Sequence, residues 1–187
     1  YLVKGFEFRD KWRNEELITT SIAPHAPYSV SNEAFTLINT YSEELNINIH
    51  THLHETQWEI DQSIDKYGIT PVQRLNNLGI IGPSLMAAHC VYLNDQDMDI
   101  LAKNKVSIAH NPSSNMKLGS GIADVAKMLK QNLTVSLGTD SSASNNRLDI
   151  MEEMRLAALL IKGTTKSPEL IPAKEAIKMA TINGAKT

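Results

Sequence analysis

Three of the six histidines occur at alternate positions in one short segment and are followed directly by a carboxylate. The segment is His50-Thr51-His52-Leu53-His54-Glu55. Alternate residues of a β-strand share one face, so these imidazoles are predicted to point the same way. Imidazole is the commonest protein ligand for zinc-like metals, and a carboxylate beside a bound water can move protons. The segment therefore indicates a metal-binding or proton-transfer site, and a polar edge strand with solvated histidines is the simpler alternative.

Other chemistry-capable residues stand at the ends of short apolar runs, each just before a turn. They are His25, His89, His110 and Asp140. With the segment above, five β-like runs end at a polar residue. The spacing between successive runs leaves room for one helix in each gap, which is typical of βα units.

Helix signals fill those gaps. Capping residues and apolar spacing predict helices from Ser31 to Leu45, from Thr70-Pro71 to near Gly79, over 95–103 after Asn94, over 122–131, over 148–162 before Gly163, and from near Pro172. Alternating strands and helices predict parallel strands covered by helices, and polar residues at successive strand ends favour a barrel. A doubly wound open sheet is the competing fold. The sequence lacks its glycine-rich phosphate loop, since Gly119-Ser120-Gly121 has no third glycine and predicts a turn.

Composition narrows the class of protein. The chain has 187 residues, 42% of them hydrophobic, with a net charge of −3. This is enough apolar material for one domain, residues 1–187, and gives no electrostatic case for nucleic-acid or membrane binding. A single cysteine, Cys90, excludes an internal disulfide and is interpreted as a small buried hydrophobe. We therefore expect a cytoplasmic protein.

Five motifs in one order carry a family resemblance. They are Ala23-Pro24-His25-Ala26-Pro27-Tyr28, His52-Leu53-His54-Glu55-Thr56, Ala88-His89-Cys90, His110-Asn111-Pro112-Ser113-Ser114-Asn115-Met116-Lys117-Leu118 and Leu137-Gly138-Thr139-Asp140. Together they resemble the amidohydrolase superfamily, and most closely its 5-methylthioadenosine/S-adenosylhomocysteine deaminases. That resemblance implies an α/β fold, the C-terminal part (about strands 4 to 8) of a metal-dependent (β/α)8 TIM barrel. No His-x-His pair precedes His25, so the first strands and the small β-domain of the family are expected to be absent.

The resemblance also implies roles for individual residues. His52 and Asp140 match metal ligands, and Asp140 also matches the acceptor of the water's proton. Glu55 matches the glutamate that meets the purine ring nitrogen and transfers a proton, and His89 matches the histidine that hydrogen-bonds the attacking water. His25 matches a substrate-contacting histidine, as Glu55 and Asp140 are also expected to contact substrate. The implied cofactor is one divalent ion, zinc in preference to iron, nickel or manganese, with two further histidine ligands outside this chain.

The activity that the resemblance implies is hydrolytic deamination of a 6-aminopurine nucleoside, a small molecule, to the 6-oxo product and ammonia. Another amidohydrolase reaction, such as guanine deamination or triazine or chloro hydrolysis, is an alternative. A non-catalytic fragment or scaffold is an alternative from another class. The isolated chain is expected to be inactive, and a homo-oligomeric parent protein is left open.

Neighbouring residues are given lesser roles. His50 is predicted to lie deeper in the barrel, and His54 to lie at the mouth or behind the ligands if the strand ends near Leu53. His110 and Asn111 are predicted to shape the pocket. Further expectations are that Asn115, Asn145 and Asn146 brace loops and that Trp58 and the methionines pack in the core or between helices.

Overall fold

Five parallel strands form one sheet in the computed structural model, which describes residues 2–186. The strands are β1 (Ser21–Ile22), β2 (Asn48–Leu53), β3 (Leu85–His89), β4 (Ser107–His110) and β5 (Thr134–Leu137). Each is hydrogen-bonded to the next along the chain, so β1 and β5 form the edges of the sheet within the described residues. The predicted order of parallel, adjacent strands is confirmed.

Helices precede, connect and follow the strands. They are α1 (Leu2–Trp12), α2 (Asn32–Leu45), α3 (Gln57–Tyr67), α4 (Pro71–Asn77), α5 (Asp95–Lys103), α6 (Pro112–Lys117), α7 (Val125–Lys130), α8 (Ser142–Asn145), α9 (Ile150–Thr165) and α10 (Ala173–Ala180), with a short 3₁₀ turn at Gly184–Lys186. The capping predictions for α2, α4 and α5 are confirmed, because the side chains of Ser31, Thr70 and Asn94 accept hydrogen bonds from backbone N–H groups of the first turn.

Two helix boundaries differ from the sequence prediction. Helix α7 begins at Val125 rather than at Ile122, because the Asp124 side chain accepts from the Lys127 N–H and sets the start. Helix α9 continues through Gly163, which is tolerated inside a helix, and ends where Lys166 turns to a φ of 56°.

Four helices were not predicted: α1, α3, α6 and α8. Helix α3 starts with a capping box between Thr56 and Glu59, yet its buried face carries only Glu59, Ile60 and Ser63. A face with so few apolar positions gives a weak periodic signal.

Burial alternates along β2, which gives its two faces different tasks. Ile49, Thr51 and Leu53 are buried, whereas His50 and His52 are partly accessible and line a cavity on the other face. The buried face joins an apolar core that includes Phe35, Leu75, Leu85, Leu101, Ile108, Met128 and Val135. Complete burial of one such large side chain contributes about 1.5–3 kcal/mol. The core thus holds the strand while its opposite face stays available for chemistry.

The expectations for sulfur and tryptophan side chains have mixed outcomes. Cys90 is buried as predicted, and burial raises the pKa of its thiol. Met98 and Met128 are buried, whereas Met151 is exposed. The core prediction for Trp58 is wrong, because its side chain is 55% exposed and contacts the Tyr28 ring on the surface, with centroids 5.3 Å apart.

Membrane insertion by a helix has no basis in the described part of the chain. Within residues 2–186, no helix combines the length and the apolar character needed to cross a bilayer.

A buried arginine on α4 holds the loop that follows β1. The Arg74 guanidinium donates to Asn32 Oδ1 at 2.8 Å, to the carbonyl of Val30 at 3.0 Å and to the carbonyl of Pro27. It also lies 4.3 Å from the centroid of the Tyr67 ring. Because this loop carries His25, a helix on the outside of the sheet determines the shape of the loop beside the strand ends.

We expect Arg74→Ala to lower the free energy of unfolding by about 3 kcal/mol, because several backbone and side-chain acceptors lose a buried donor. Lys66→Ala is the matched control, since Lys66 also lies over the Tyr67 ring, at 5.0 Å, but is exposed. It should change stability by less than about 0.5 kcal/mol. Urea denaturation of both variants measures the difference, and equal losses would contradict this role for Arg74.

Candidate active site

The carboxyl ends of three strands bring together two histidines and an aspartate. His52, His89 and Asp140 each offer one ligand atom, and these atoms lie within 4.8 Å of one another. Parallel pairing explains the meeting, because Leu53 of β2 is opposite His89 of β3. The three residues line a cavity of about 320 Å³ together with His50, Met86, Ala88, Ala109, Asn111, Ser136, Leu137, Gly138 and Gly184.

In both imidazole rings, Nδ1 is the nitrogen that is hydrogen-bonded to the protein. His52 Nδ1 lies 2.6 Å from the backbone carbonyl oxygen of His25, and His89 Nδ1 lies 2.8 Å from Asn115 Oδ1. A carbonyl oxygen can only accept, so the contact at His52 places the proton on Nδ1. At His89 the Asn115 oxygen is nearer to Nδ1 than the only donor beside it among the described residues, Asn111 Nδ2 at 3.5 Å, and the proton is assigned to Nδ1 there too. Nε2 of each histidine therefore keeps its lone pair, which is the form that binds a metal or accepts a hydrogen bond from water.

Two serine hydroxyls hold Asp140 as a carboxylate. Ser114 Oγ and Ser144 Oγ each donate to Asp140 Oδ2 at 2.6 Å. Partial burial opposes ionisation, but these hydrogen bonds outweigh it and keep the pKa of Asp140 below its usual value. The other oxygen, Oδ1, is left for a ligand or a proton.

This set of donors fits a divalent metal ion. Two neutral imidazoles with an oriented lone pair and one ionised carboxylate are the mixed nitrogen and oxygen ligands that zinc takes in catalytic sites. Their hydrogen-bonded partners fix ring tautomer and carboxylate orientation, as in metal sites generally. The residues that fit are His52, His89 and Asp140.

Glu55 lies just beyond the end of β2 and beside His89. Its Oε2 atom is 3.8 Å from His89 Nε2, and its side chain is 17% exposed. Ser120 Oγ donates to the other oxygen, Oε1, at 3.0 Å. The buried Glu59 carboxylate accepts the backbone N–H of Glu55, at 3.3 Å, and burial raises the pKa of Glu59. Glu55 is thus held at its backbone and at one oxygen, which leaves Oε2 available for proton transfer.

His25 contributes to the site through its backbone as well as its ring. Its carbonyl oxygen accepts from both the backbone N–H and the ring Nδ1 of His52. The His25 side chain is exposed, its ring centroid is 5.0 Å from that of His52, and its Nδ1 lies 2.9 Å from Ser29 Oγ. The sequence indicated the ring and missed the carbonyl, which any residue type could supply.

Comparison with known proteins decides the family. A family model described as the amidohydrolase family matches residues 4–187 of the chain. The chain belongs to the amidohydrolase family.

Several amidohydrolase relatives are similar to nearly all of the chain. It is 45% identical over 98% of its length to a 5-methylthioadenosine/S-adenosylhomocysteine deaminase of Dictyoglomus turgidum. It is 47% identical over 99% of its length to a 5′-deoxyadenosine deaminase of Methanococcoides burtonii. In each case it covers 43% of the relative, so the chain spans less than half the length of the curated proteins that it matches.

A solved amidohydrolase structure supports the same conclusion about the fold. A crystal structure of an adenosine deaminase from Xanthomonas campestris with bound zinc matches all of this chain with a TM-score of 0.97 at 35% identity, and 42% of that protein is covered. Together with the five-stranded parallel sheet, this confirms the predicted partial α/β barrel.

The side chain of His54 points away from those of His50 and His52, the other two histidines of its segment. Strand β2 ends at Leu53, and a φ of 53° at His54 reverses the direction of the side chain. His54 is fully buried, its Nδ1 lies 2.9 Å from the Tyr92 carbonyl oxygen, and its Nε2 accepts the Val72 N–H at 3.2 Å. It joins the end of β2 to helix α4 and to the loop after β3. The strand ends near Leu53 as expected, and of the two positions predicted for His54 the one at the mouth is wrong, because the left-handed backbone at this position ends the strand alternation.

We expect His54→Ala in the complete protein to lower the free energy of unfolding by about 2–4 kcal/mol, because it removes a buried ring and its two backbone hydrogen bonds. Bound metal should remain, since His54 faces away from His52. Thermal unfolding and elemental analysis of the same sample measure the two quantities. Loss of metal with unchanged stability would reverse the assignment.

Of the three residues predicted to surround the ligands, His50 and Asn111 reach the cavity, whereas His110 is not among its lining residues. His50 and Asn111 line the cavity, and a Cβ atom at Gly138 would collide with Asn111 Oδ1, so a larger residue there would require Asn111 to move. His110 is buried without a partner for Nδ1 among the described residues. Burial, with a smaller contribution from His89, lowers the pKa of His110 to about 4.

The buried His110 predicts a loss of stability in mild acid. Its folded pKa is about 4 and its ordinary value is 6.5, so the unfolded chain takes up a proton that the folded chain refuses. The free energy of unfolding therefore has its full contribution from neutral His110 above pH 6.5. It loses up to about 3 kcal/mol as the pH falls towards 4. His110→Gln should therefore flatten the pH dependence of urea unfolding between pH 7 and 5 in the metal-free protein. The same slope in both proteins would refute this origin.

Sequence reasoning missed the residues that hold the candidate ligands. Asn115 was predicted only to brace a loop, and Ser114, Ser120 and Ser144 were not singled out for contact with the site. Asn145 does brace its loop, since its Nδ2 donates to the Thr139 carbonyl oxygen at 2.8 Å. A signal for the others was present in the motif of residues 110–118, where Ser114 and Asn115 are polar residues on a helix beside a strand end.

Proposed function

We propose that the complete protein is a metal-dependent hydrolytic deaminase that converts 6-aminopurine nucleosides of the 5′-methylthioadenosine and S-adenosylhomocysteine type to 6-oxo products with release of ammonia. The observation that carries this proposal is the position of Glu55, whose free oxygen lies 3.8 Å from His89 beside the group formed by His52, His89 and Asp140. A proton donor at this position faces the place from which a metal-bound water would attack. The names of the two curated relatives support a nucleoside substrate.

The proposed chemistry assigns one task to each side chain. A divalent ion held by His52 and Asp140, with two histidines from the rest of the complete protein, would lower the pKa of a bound water to about 7. Asp140 Oδ1 accepts the proton of the attacking water, and His89 Nε2 accepts a hydrogen bond that orients it. Glu55 Oε2 gives a proton to the ring nitrogen next to the carbon that bears the amine. The His25 ring contacts the purine nucleoside. The proton taken up by Asp140 passes to the amine, which leaves as ammonia, and the proton of the added hydroxyl group returns to Glu55.

The proposal includes one zinc ion per protein. The oriented lone pair of His52 and the ionised Asp140 suit zinc, and the Xanthomonas campestris structure carries zinc. Elemental analysis of the complete protein tests the metal and its stoichiometry. Two equivalents of metal, or manganese alone, would overturn this part.

The proposed context of the chain is a larger barrel enzyme. Residues 1–187 form part of one barrel domain, and the complete protein supplies the remaining strands and a small β-domain. We further propose a cytoplasmic protein and leave open a homo-oligomer. Sequencing the complete reading frame tests the domain proposal, because it should contain a His-x-His pair upstream of Tyr1.

The activity itself is tested with a panel of substrates. The complete, zinc-loaded protein is incubated with 5′-methylthioadenosine, 5′-deoxyadenosine, S-adenosylhomocysteine and guanine, and ammonia release is measured. We expect turnover of the adenosine-type compounds and little turnover of guanine. Preference for guanine would favour the alternative amidohydrolase reaction, and inactivity on all four would refute the proposal.

A further inference from the structure

One short segment, residues 114–120, touches three of the proposed chemical groups. Ser114 Oγ donates to Asp140 Oδ2 at 2.6 Å, and Asn115 Oδ1 accepts from His89 Nδ1 at 2.8 Å. Ser120 Oγ donates to Glu55 Oε1 at 3.0 Å. Every contact is made on the atom that points away from the proposed reaction, so Asp140 Oδ1, His89 Nε2 and Glu55 Oε2 stay free.

This segment is built as a stiff unit. Helix α6 begins with Pro112, which suits the first helical position, and the Ser120 N–H donates to the Asn115 carbonyl oxygen at 2.8 Å. Ser114, Asn115 and Ser120 are all buried. Their buried positions limit rotation of the hydroxyl and amide groups that face the site.

Two further contacts fix the segment to its neighbours. Gly121 has a φ of 122°, and a Cβ atom there would come 3.0 Å from the Tyr92 hydroxyl and 3.1 Å from Val91. The buried Glu153 of α9 accepts the Ser113 N–H at 3.0 Å, just before the segment. The close contact of Gly121 with Tyr92 and Val91, which glycine permits, therefore holds the neighbouring Ser120 beside Glu55.

We propose that Ser120 selects which oxygen of Glu55 carries the transferable proton, and that Asn115 fixes the ring tautomer of His89. The carbonyl oxygen of a neutral carboxyl group is a better acceptor than its hydroxyl oxygen, so a hydroxyl that donates to Oε1 favours the proton on Oε2, which faces His89. The Asn115 carbonyl oxygen lies 2.8 Å from His89 Nδ1, nearer than the donor Asn111 Nδ2 at 3.5 Å, and keeps the proton on that nitrogen. Nε2 can then accept a hydrogen bond from water. The catalytic part of this inference rests on the proposed function, and Ser120 and Asn115 act as positioning residues.

The role of Ser120 is tested by combining substitutions in the complete, zinc-loaded protein. Ser120→Ala should lower kcat for 5′-methylthioadenosine about 10-fold with little change in KM, because one hydrogen bond to an ionisable group is lost. Ser120→Thr retains the hydroxyl and should restore most of the activity. In a Glu55→Gln background, Ser120→Ala should cause no further loss in single-turnover experiments.

A matched control separates this role from general damage to helix α6. Ser113→Ala removes a hydroxyl from helix α6, which leads into Ser120, and the described residues show no hydrogen bond from that side chain. It should leave kcat within about 2-fold of the unsubstituted protein. The proposal would be overturned if Ser120→Ala lowered the rate equally in the unsubstituted and Glu55→Gln backgrounds. It would also be overturned if Ser113→Ala lowered kcat as much as Ser120→Ala does.

The role of Asn115 has a measurement that needs no substrate. In metal-free complete protein with ¹⁵N-labelled histidine, the ring shifts of His89 should report a proton on Nδ1. Asn115→Leu should produce a mixture of tautomers, whereas Asn115→Asp, which keeps an acceptor oxygen, should preserve the original pattern. An unchanged tautomer in Asn115→Leu would refute this role.

The two proposals fail in different ways. Absence of turnover on every purine nucleoside would end the deaminase proposal and the catalytic role of Ser120, while the His89 shifts would still decide the role of Asn115. Turnover together with an additive Ser120 effect would end only the positioning role of Ser120.

Discussion

Glu55→Gln is expected to lower turnover of 5′-methylthioadenosine by the complete protein about 10²-fold or more while the metal stays bound. The amide keeps the shape of the side chain and can occupy the place beside His89 and Ser120, but it cannot donate and accept the proton. Steady-state kinetics and elemental analysis of one preparation measure both effects. A variant that retained metal and turned over at close to the original rate would remove Glu55 from the mechanism.

Asp140→Asn provides the contrast for Glu55→Gln. It removes the charge of a proposed ligand and the acceptor of the water's proton together, so both metal affinity and rate should fall. Two serines donate to Asp140 Oδ2, and an amide nitrogen placed there would meet donors rather than acceptors. A full metal content in Asp140→Asn would show that this carboxylate is not a ligand.

His52→Ala is expected to remove bound metal and activity from the complete protein, with metal affinity reduced by at least about 10²-fold. His52 Nδ1 is occupied by the carbonyl oxygen of His25, so Nε2 is the atom that binds. No neighbouring group can replace it on the same strand face, because His54 points into the core and His50 lies two residues earlier on β2.

The control for this prediction is the histidine two residues later. His54→Ala should keep its metal at temperatures below its lowered unfolding transition. Chelator competition compares the two variants with the unsubstituted protein. Full metal occupancy in His52→Ala, or loss of metal in His54→Ala alone, would mean that the wrong histidine was assigned.

Local pattern in the sequence was enough to predict the strand order and several helix starts. The runs ending at His25, His52, His89, His110 and Asp140 carried the information, because each apolar stretch ends where the chain leaves the core. The boundaries at Asp124 and Lys166 were less accessible, since a single capping contact or one left-handed residue sets them.

Alternation along β2 correctly predicted a shared face for His50 and His52 and failed for His54. The failure has a local cause that only the backbone reveals, a φ of 53° directly after the strand. Histidine tolerates this conformation better than bulkier residues, so the sequence carried no warning such as a glycine.

The sequence by itself determined the family, the parallel α/β architecture and the residues capable of chemistry at the strand ends, because these depend on residue type and on short-range spacing. The tertiary structure decided which side chains hold that chemistry in place. Ser120 reaches Glu55 across 65 positions, and Arg74 reaches Val30 across 44. A buried donor or acceptor takes whichever partner the folded chain brings within about 3 Å, and that proximity is set by how loops from separate βα units meet at the end of the sheet.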